Sequence, residues 1–345
     1  MSKKDNLARA KNAKNDEFYT RLEDIESEIS MHPDYVRQFK DKVVFCNCDD
    51  PEWSNFHLFF RQHFQQLGLK KLITTHYNQD GSPSYKLEWN GEMLGDDCVN
   101  MIKTPLKGNG DFRSEECVEI LKSADIVVTN PPFSIAREDF IPLLYQYEKQ
   151  FIIIGDLNWV SYKTVFPLFK ENKMFFGYSN VKSFRTPSGE FQKFGNKVWF
   201  TNLDIDKHHE GIILTKNYNG NEDKYPKYDN YDAINVNKVK DIPKDYFEPM
   251  GVPITYLSEH SPEQFEILGI LQSSTEEQAG IPILREYNDF KEMRQDMTYT
   301  GASGVKANGN PVLKGKSDKG NFLYNPTTNE YVHSAYARIV IRRKE

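Results

Sequence analysis

Four cysteines (Cys46, Cys48, Cys98 and Cys117) in a chain of 345 residues are too few and too unevenly placed to form a disulfide framework. Cys46 and Cys48 flank a single residue, and no second half of a zinc site follows them. Reduced, mostly buried thiols are expected. The chain also lacks an apolar run of about eighteen residues, and it does not open on a charged segment followed by an apolar one. A soluble, cytoplasmic protein with no membrane partner is the expectation. Internal repeats, low-complexity tracts and any convincing nuclease motif are missing too. The pair His208-His209 reads as a solvated turn, and no metal site is expected.

Positive charge is not in excess. The formal net charge is −6 and the sequence pI about 5.8, which argues against a protein that coats a polyanion over its whole surface. The distribution is uneven, however. Lys3, Lys4, Arg9, Lys11, Lys14 and Arg21 outnumber the nearby Asp5, Asp16 and Glu17, and Lys306, Lys314, Lys316, Lys319, Arg338, Arg342, Arg343 and Lys344 dominate the other end. Solvated tails or a local polyanion contact both account for this.

What is present is an alternation of strand and helix patterns. KVVFC (42–46) and KLITTHY (71–77) read as strands, and between them Phe56, Phe59, Phe60, Phe64 and Leu67 recur at helical spacing behind Ser54, a candidate N-cap. That crossover suits parallel pairing. Residues 22–30 look helical, and Tyr85 to Ile102 looks like a hairpin-like insertion around Asn90-Gly91. Ser114 caps a further helix to Lys122, with Glu115 and Glu116 in the first turn, where the macrodipole favours acids. DIVVT (125–129) and FIIIG (151–155) are short apolar strands covered on both faces, joined by a helix to Tyr147. The pattern to about residue 170 predicts an α/β fold with a mostly parallel, doubly wound sheet. Val198–Thr201 and Ile212–Thr215 are expected as further strands, and Tyr336–Arg343 as the last. Residues 216–249 show no clear period, and 298–321 is glycine-rich and polar, so the C-terminal third reads as a loop-rich second region.

The strand DIVVT ends in Asn130-Pro131-Pro132-Phe133. Two prolines fix φ and remove two donors, so this loop is stiff, and it lies where open α/β sheets place ligands. A strand-ending turn is the plain alternative. Chemically, the Asn130 side-chain oxygen and the Pro131 carbonyl can accept hydrogen bonds from an exocyclic amine of a planar base. That draws the nitrogen toward sp3 and localises its lone pair. Phe133 supplies an apolar face for stacking.

Together with this loop, AKNDEFYT (13–20), FCNCDDPEWSNF (45–56), GDFRS (110–114), IIIGDLNWVSYK (152–163) and KVWFTNL (197–203) resemble the EcoRI-type DNA adenine-N6 methyltransferase family. The likeness continues through VPITYL (252–257) and PEQFEILG (262–269) to ARIVIRRK (337–344). It implies a Rossmann-like class I methyltransferase fold with a smaller loop-rich target-recognition region. Residues 1–215 would form the catalytic domain, with 1–15 as a flexible basic arm, and 216–345 would read the target. The cofactor implied is S-adenosylmethionine, and the partner is double-stranded DNA, with base flipping. A companion restriction endonuclease and a monomeric state are further expectations.

The same resemblance implies site residues. Asn130, Pro131, Pro132 and Phe133 would be catalytic. Asp16, Phe18 and Tyr19 would serve the methionine end of the cofactor. The turn holding Asp49, Asp50, Pro51 and Asn55 takes the place of the usual glycine-rich loop, and no GxG is present. Its helix N-terminus suits a carboxylate, and Asp49 or Asp50 suits an ammonium. Asp111 would receive the cofactor's adenine amino group and Phe112 would pack on its ring. Trp199 would lie near the target base, and Lys306, Lys314 and Lys316 would approach DNA. Core packing is the alternative for Phe18, Tyr19 and Trp199, and an ordinary loop acid for Asp111. Other acceptors of the same chemistry are an RNA adenine, cytosine N4 or a glutamine amide, and a DNA-binding relative without activity is a third reading. Cytosine-C5 transfer would need a cysteine nucleophile, and no Pro-Cys dipeptide occurs.

Overall fold

The computed structural model describes residues 19–48, 50–78, 80–92, 100–186, 190–272 and 276–345. The described residues fall into two compact units, one within Met1–Val165 and Lys173–Asp206, the other within Phe166–Asn172 and Lys207–Glu345. Among them no helix is long and apolar enough to cross a membrane. The expected elements Asp16, Phe18, Asp49 and Cys98 lie outside the described residues.

The first unit is built on a nine-stranded mixed sheet. In chain order its elements are β1 (Tyr19–Thr20), α1 (Leu22–Ile29), α2 (Pro33–Phe39), β2 (Val43–Cys46), α3 (Asn55–Gln62), α4 (Phe64–Leu67) and β3 (Lys71–Thr75). There follow β4 (Tyr85–Trp89), β5 (Ile102–Pro105), α5 (Glu115–Ser123), β6 (Ile126–Thr129), a π-helical turn at Ala136–Phe140, α6 (Ile141–Gln146), β7 (Gln150–Asp156), β8 (Phe175–Arg185) and β9 (Phe191–Thr201). The strand order is β1-β8-β9-β7-β6-β2-β3-β4-β5.

The middle strands β7, β6, β2 and β3 are parallel to one another. Every residue of β2 and β6 is buried, as their continuous β-branched and aromatic runs require when both faces are covered. Antiparallel pairs finish both sides, β4 and β5 beyond β3, and β9, β8 and β1 beyond β7. Ser54 and Ser114 cap α3 and α5 through their side-chain oxygens, and α3 turns Phe56, Phe59 and Phe60 into the core. The β8 strand was not visible in the sequence as a strand, and β9 extends seven residues earlier than Val198. A buried carboxylate anchors that hairpin: Glu28 of α1 accepts from Tyr178 N at 2.8 Å, Ser179 N at 2.7 Å and Ser179 Oγ at 2.7 Å. These bonds meet the requirement that a buried charge be satisfied.

The second unit carries α7 (Phe166–Lys170), β10 (Ile234–Asn235), β11 (Met250–Pro253), β12 (Phe265–Leu271), α8 (Glu276–Ala279) and β13 (Lys291–Met293). It continues with β14 (Tyr299–Ser303), β15 (Val312–Lys314), β16 (Phe322–Asn325), β17 (Glu330–Ser334) and β18 (Arg338–Arg343). Its sheets run β10-β11-β18-β12 and β14-β13-β16-β17-β15. The glycine-rich segment expected as loop therefore supplies two strands of the second sheet. The glycines stand largely at turns, with Gly301, Gly309, Gly315 and Gly320 at positive φ.

Ile212–Thr215 is not a strand. Ile213 is 86% exposed, and the backbone of Ile212 pairs with a side chain instead. Gln264 Oε1 accepts from Ile212 N at 2.8 Å, and Gln264 Nε2 donates to Ile212 O at 3.0 Å. His208 is likewise not solvated: it is buried, and only His209 of that pair is exposed.

Two buried histidines predict an acid response. Burial, with Arg61 adding, pushes His57 down to about 4, and burial, with His208 and Lys344 adding, does the same to His260. His57 Nδ1 lies 2.9 Å from Thr74 Oγ1, and His260 is held between Tyr256 OH at 2.8 Å and Asn172 Oδ1 at 2.9 Å. Because the folded values lie below the unfolded one, the unfolded chain takes up protons first as pH falls. Stability should thus be level above about pH 6.5 and fall toward about pH 4, by at most about 3 kcal/mol for each histidine. Urea midpoints between those pH values measure this, and His57→Gln should flatten the slope; an unchanged slope would show that His57 titrates normally.

Candidate active site

In the central sheet β3 lies on one side of β2 and β6 on the other. The chain thus reverses its winding between β2 and β6, and a crevice opens at the C-terminal ends of those strands. The turn after β2, the segment after β3, the Asn130 loop after β6 and the end of β7 all belong to that edge.

The turn after β2 is rigid before anything binds. Asp50 Oδ1 accepts from Glu52 N at 3.0 Å, and Asp50 O accepts from Trp53 N and Ser54 N. Ser54 Oγ then takes Phe56 N at 3.1 Å and His57 N at 3.4 Å. Two of the helix N–H groups expected to face a carboxylate, those of Phe56 and His57, are therefore already engaged by the cap. The acidic part of the turn is better placed: Asp50 Oδ2 stands 2.9 Å from His76 Nδ1. Pro51 is half-buried in the turn. Asn55 Nδ2 donates to Thr20 O at 2.7 Å and so ties β1 to the start of α3. Tyr19 sits beside that tie, half-buried and opposite Arg185.

The GDFRS turn is pressed against the segment that follows β3. Asn78 N donates to Asn109 O at 2.8 Å, and Asn109 Nδ2 donates back to Asn78 O at 3.2 Å. Gly110 makes this possible, with φ +84 and no room for a Cβ against the His76 carbonyl. Gly110→Ala should displace the turn and lower stability by about 1–3 kcal/mol; the thermal midpoint checks it, and an unchanged midpoint would show that the turn yields without strain.

Asp111 is half-buried and its carboxylate is fixed by Arg113, with Nη2 at 2.7 Å and Nε at 3.0 Å. The Arg113 guanidinium holds that carboxyl below the usual range, against the opposing effect of burial. An ionised acceptor results. Arg113 also reaches Asp139 of the π-helical turn at 3.0 Å. Phe112 is buried, edge-on to Phe140 with centres 5.1 Å apart.

The Asn130 loop follows β6 directly. Asn130 is half-buried, Pro131 is buried, and the Pro132 carbonyl accepts from Ile135 N and Ala136 N to begin the π-helical turn. Phe133 is half-buried, with Trp159 and Phe184 packed edge-on, their ring centres 6.2 Å and 6.1 Å away.

Residues 6–344 match the family model described as adenine-specific methyltransferase EcoRI. The chain belongs to this family. It is similar to the type II methyltransferase M.EcoRI of Escherichia coli, 44% identical over 293 residues that span 76% of this chain and 88% of that protein. It is equally similar to the type II methyltransferase M.MpnI of Mycoplasma pneumoniae, 44% identical over 282 residues that span 76% of this chain and 85% of that protein. No solved structure matches at comparable stringency. The protein is an adenine-specific methyltransferase of the EcoRI family.

One residue expected beside the target base is packed away from it in this EcoRI-family enzyme. Trp199 is wholly buried and packs edge-on against Phe56, centres 6.0 Å apart, so it is a core residue and not a surface for a base. Lys306, Lys314 and Lys316 belong to the second unit. Lys306 is exposed beside a concavity of about 230 Å³ that Glu292, Asn310 and Phe322 also line. Lys314 is 3.7 Å from Asp229, and Lys316 lies 4.5 Å from the Tyr331 ring centre. Sequence reasoning missed His76, Arg113 and Lys197. His76 directly follows the strand KLITT and Arg113 stands within GDFRS, so both carried a local signal. Lys197 carried none, because its partner Asp156 is 41 positions away.

Proposed function

We propose that this enzyme is a site-specific DNA methyltransferase that transfers a methyl group from S-adenosylmethionine to N6 of an adenine flipped out of duplex DNA. The observation that carries the reading is the position of Asn130-Pro131-Pro132-Phe133, directly after a buried parallel strand and beside the crevice between β2 and β6. The first unit then acts as a Rossmann-like class I methyltransferase domain, and the second, with its lysine-bearing sheet, as the target-recognition region. A companion restriction endonuclease, a monomeric enzyme and a cytoplasmic setting complete the proposal.

The residues present fit the cofactor chemically. Asp50 supplies an anion for its ammonium, and ionised Asp111 supplies an acceptor for its adenine amino group, with Phe112 close behind. S-adenosylmethionine contributes an electrophilic methyl on sulfonium sulfur. The chain contributes acceptors. Asn130 Oδ1 and the Pro131 carbonyl take hydrogen bonds from the two N6 hydrogens, which raises lone-pair density on nitrogen and stabilises its developing positive charge. The new N–C bond forms as the S–C bond breaks, leaving S-adenosylhomocysteine. One N6 proton then departs to water, since the alkylated nitrogen is strongly acidic. Phe133 gives the flipped base a stacking face in place of its neighbours in the duplex.

Incubating the protein with methyl-labelled S-adenosylmethionine and, in separate reactions, duplex DNA, RNA and protein tests this reading. Label is expected in duplex DNA. Label confined to RNA or protein would overturn it.

A further inference from the structure

An ion pair at the end of β7 has no part in the chemistry above. Asp156 and Lys197 stand directly opposite in the antiparallel pair of β7 and β9, and Lys197 Nζ lies 3.1 Å from Asp156 Oδ2. The Lys197 side chain is only 6% exposed. Its ammonium is 3.8 Å from the centre of the Phe133 ring and 5.3 Å from that of Phe194. Asp156 is held in place as well, accepting from Asn196 Nδ2 at 2.8 Å and from Asn158 N at 2.9 Å. An ion pair whose ammonium is buried contributes little net stability, because desolvation offsets the attraction. Its place against the aromatic ring of the Asn130 loop calls for another explanation.

We propose that Lys197, with Asp156 as its counter-ion, is a positioning residue for the target base that acts through Phe133. The inference rests on the reading of the Asn130 loop given above. A buried ammonium over one face of the ring closes that face, so a base has only the other face on which to stack. Together with the edges of Trp159 and Phe184, it fixes the plane of the ring. The cation also draws the ring's π density toward the covered face. The outer face is then less electron-rich, which suits a neutral, electron-rich purine and disfavours a base that already carries positive charge. Lys197 therefore sets the orientation of the base against Asn130 and selects its neutral form.

The full-length protein tests this with three variants. Lys197→Met keeps most of the stem and removes the charge. Lys197→Met combined with Asp156→Asn also avoids a stranded carboxylate while keeping an acceptor for Asn158 N. Lys197→Arg restores the cation. Single-turnover methylation of a duplex the wild type modifies, fluorescence of 2-aminopurine placed at the target adenine, affinity for S-adenosylmethionine and thermal midpoint are read for each. The charge-free double variant should transfer methyl about 3- to 30-fold more slowly, the range a desolvated cation–π contact supports. Its 2-aminopurine signal should change while cofactor affinity stays within about twofold, and Lys197→Arg should recover most of the rate.

A double variant at wild-type rate would overturn the proposal. So would a loss that follows the thermal midpoint and cofactor affinity and is not recovered by arginine. Failure of the functional reading itself looks different: the wild type would then leave adenine N6 in duplex DNA unmodified.

Discussion

Asn130→Ala should lower the rate of methyl transfer by about 10²- to 10³-fold while leaving duplex affinity and cofactor affinity within a few-fold of wild type, by analogy with loss of one preorganised acceptor or donor at a reacting centre. The size of the effect follows from where Asn130 sits. It directly follows the fully buried strand β6, and the next residue, Pro131, is itself buried. The proline pair cannot relax to bring a substitute oxygen forward. The loss should appear in kcat, since the hydrogen bonds to N6 strengthen as charge develops there. Single-turnover rates at saturating cofactor, set beside duplex binding by anisotropy, measure it. Equal loss of rate and binding would mean that Asn130 shapes the loop and does not act on the amine.

The second large effect is expected on the cofactor. Asp111→Ala should weaken S-adenosylmethionine binding by about 10- to 100-fold, the range of a hydrogen bond to a charged group, and it should leave duplex affinity in place. Arg113 fixes the orientation of the Asp111 carboxylate through two hydrogen bonds, so Arg113→Ala should produce a smaller loss of the same kind. Calorimetric titration with the cofactor alone distinguishes the two. If Asp111→Ala bound cofactor normally, the GDFRS turn would be a structural brace between the segment after β3 and the π-helical turn, which Arg113 already joins through Asp139.

The sequence made the parallel centre of the first unit legible for a physical reason. Strands covered on both faces need unbroken apolar runs, and VVFC, IVVT and FIIIG are such runs; helices need caps, and Ser54 and Ser114 cap where they were expected. Local turn geometry was legible as well, because Asp50, Asp111 and Asn130 each stand next to residues that dictate a turn.

Long-range pairing was not legible. Phe175–Arg185 reads as mixed polar and aromatic because it lies in an antiparallel hairpin, and part of its anchorage is Glu28, 150 positions away. Ile212–Thr215 failed in the opposite direction, since β-branched residues mark a strand only where a partner strand exists, and Gln264 takes that place. Trp199 was misplaced for a related reason. An aromatic strand near the site alternates its side chains, and Trp199 points into the core while its neighbour Val198 precedes it on the other face. On the same parity as Trp199, Lys197 reaches Asp156 and Phe133 because β9 ends its pairing with β7 there.

The most direct test of the account is to identify the nucleoside that the enzyme modifies. Duplex DNA methylated by the purified wild-type protein, digested to nucleosides and resolved by mass spectrometry, should contain N6-methyladenine as the sole new species, and DNA treated with Asn130→Ala should contain almost none. N4-methylcytosine or 5-methylcytosine in place of N6-methyladenine would contradict the account.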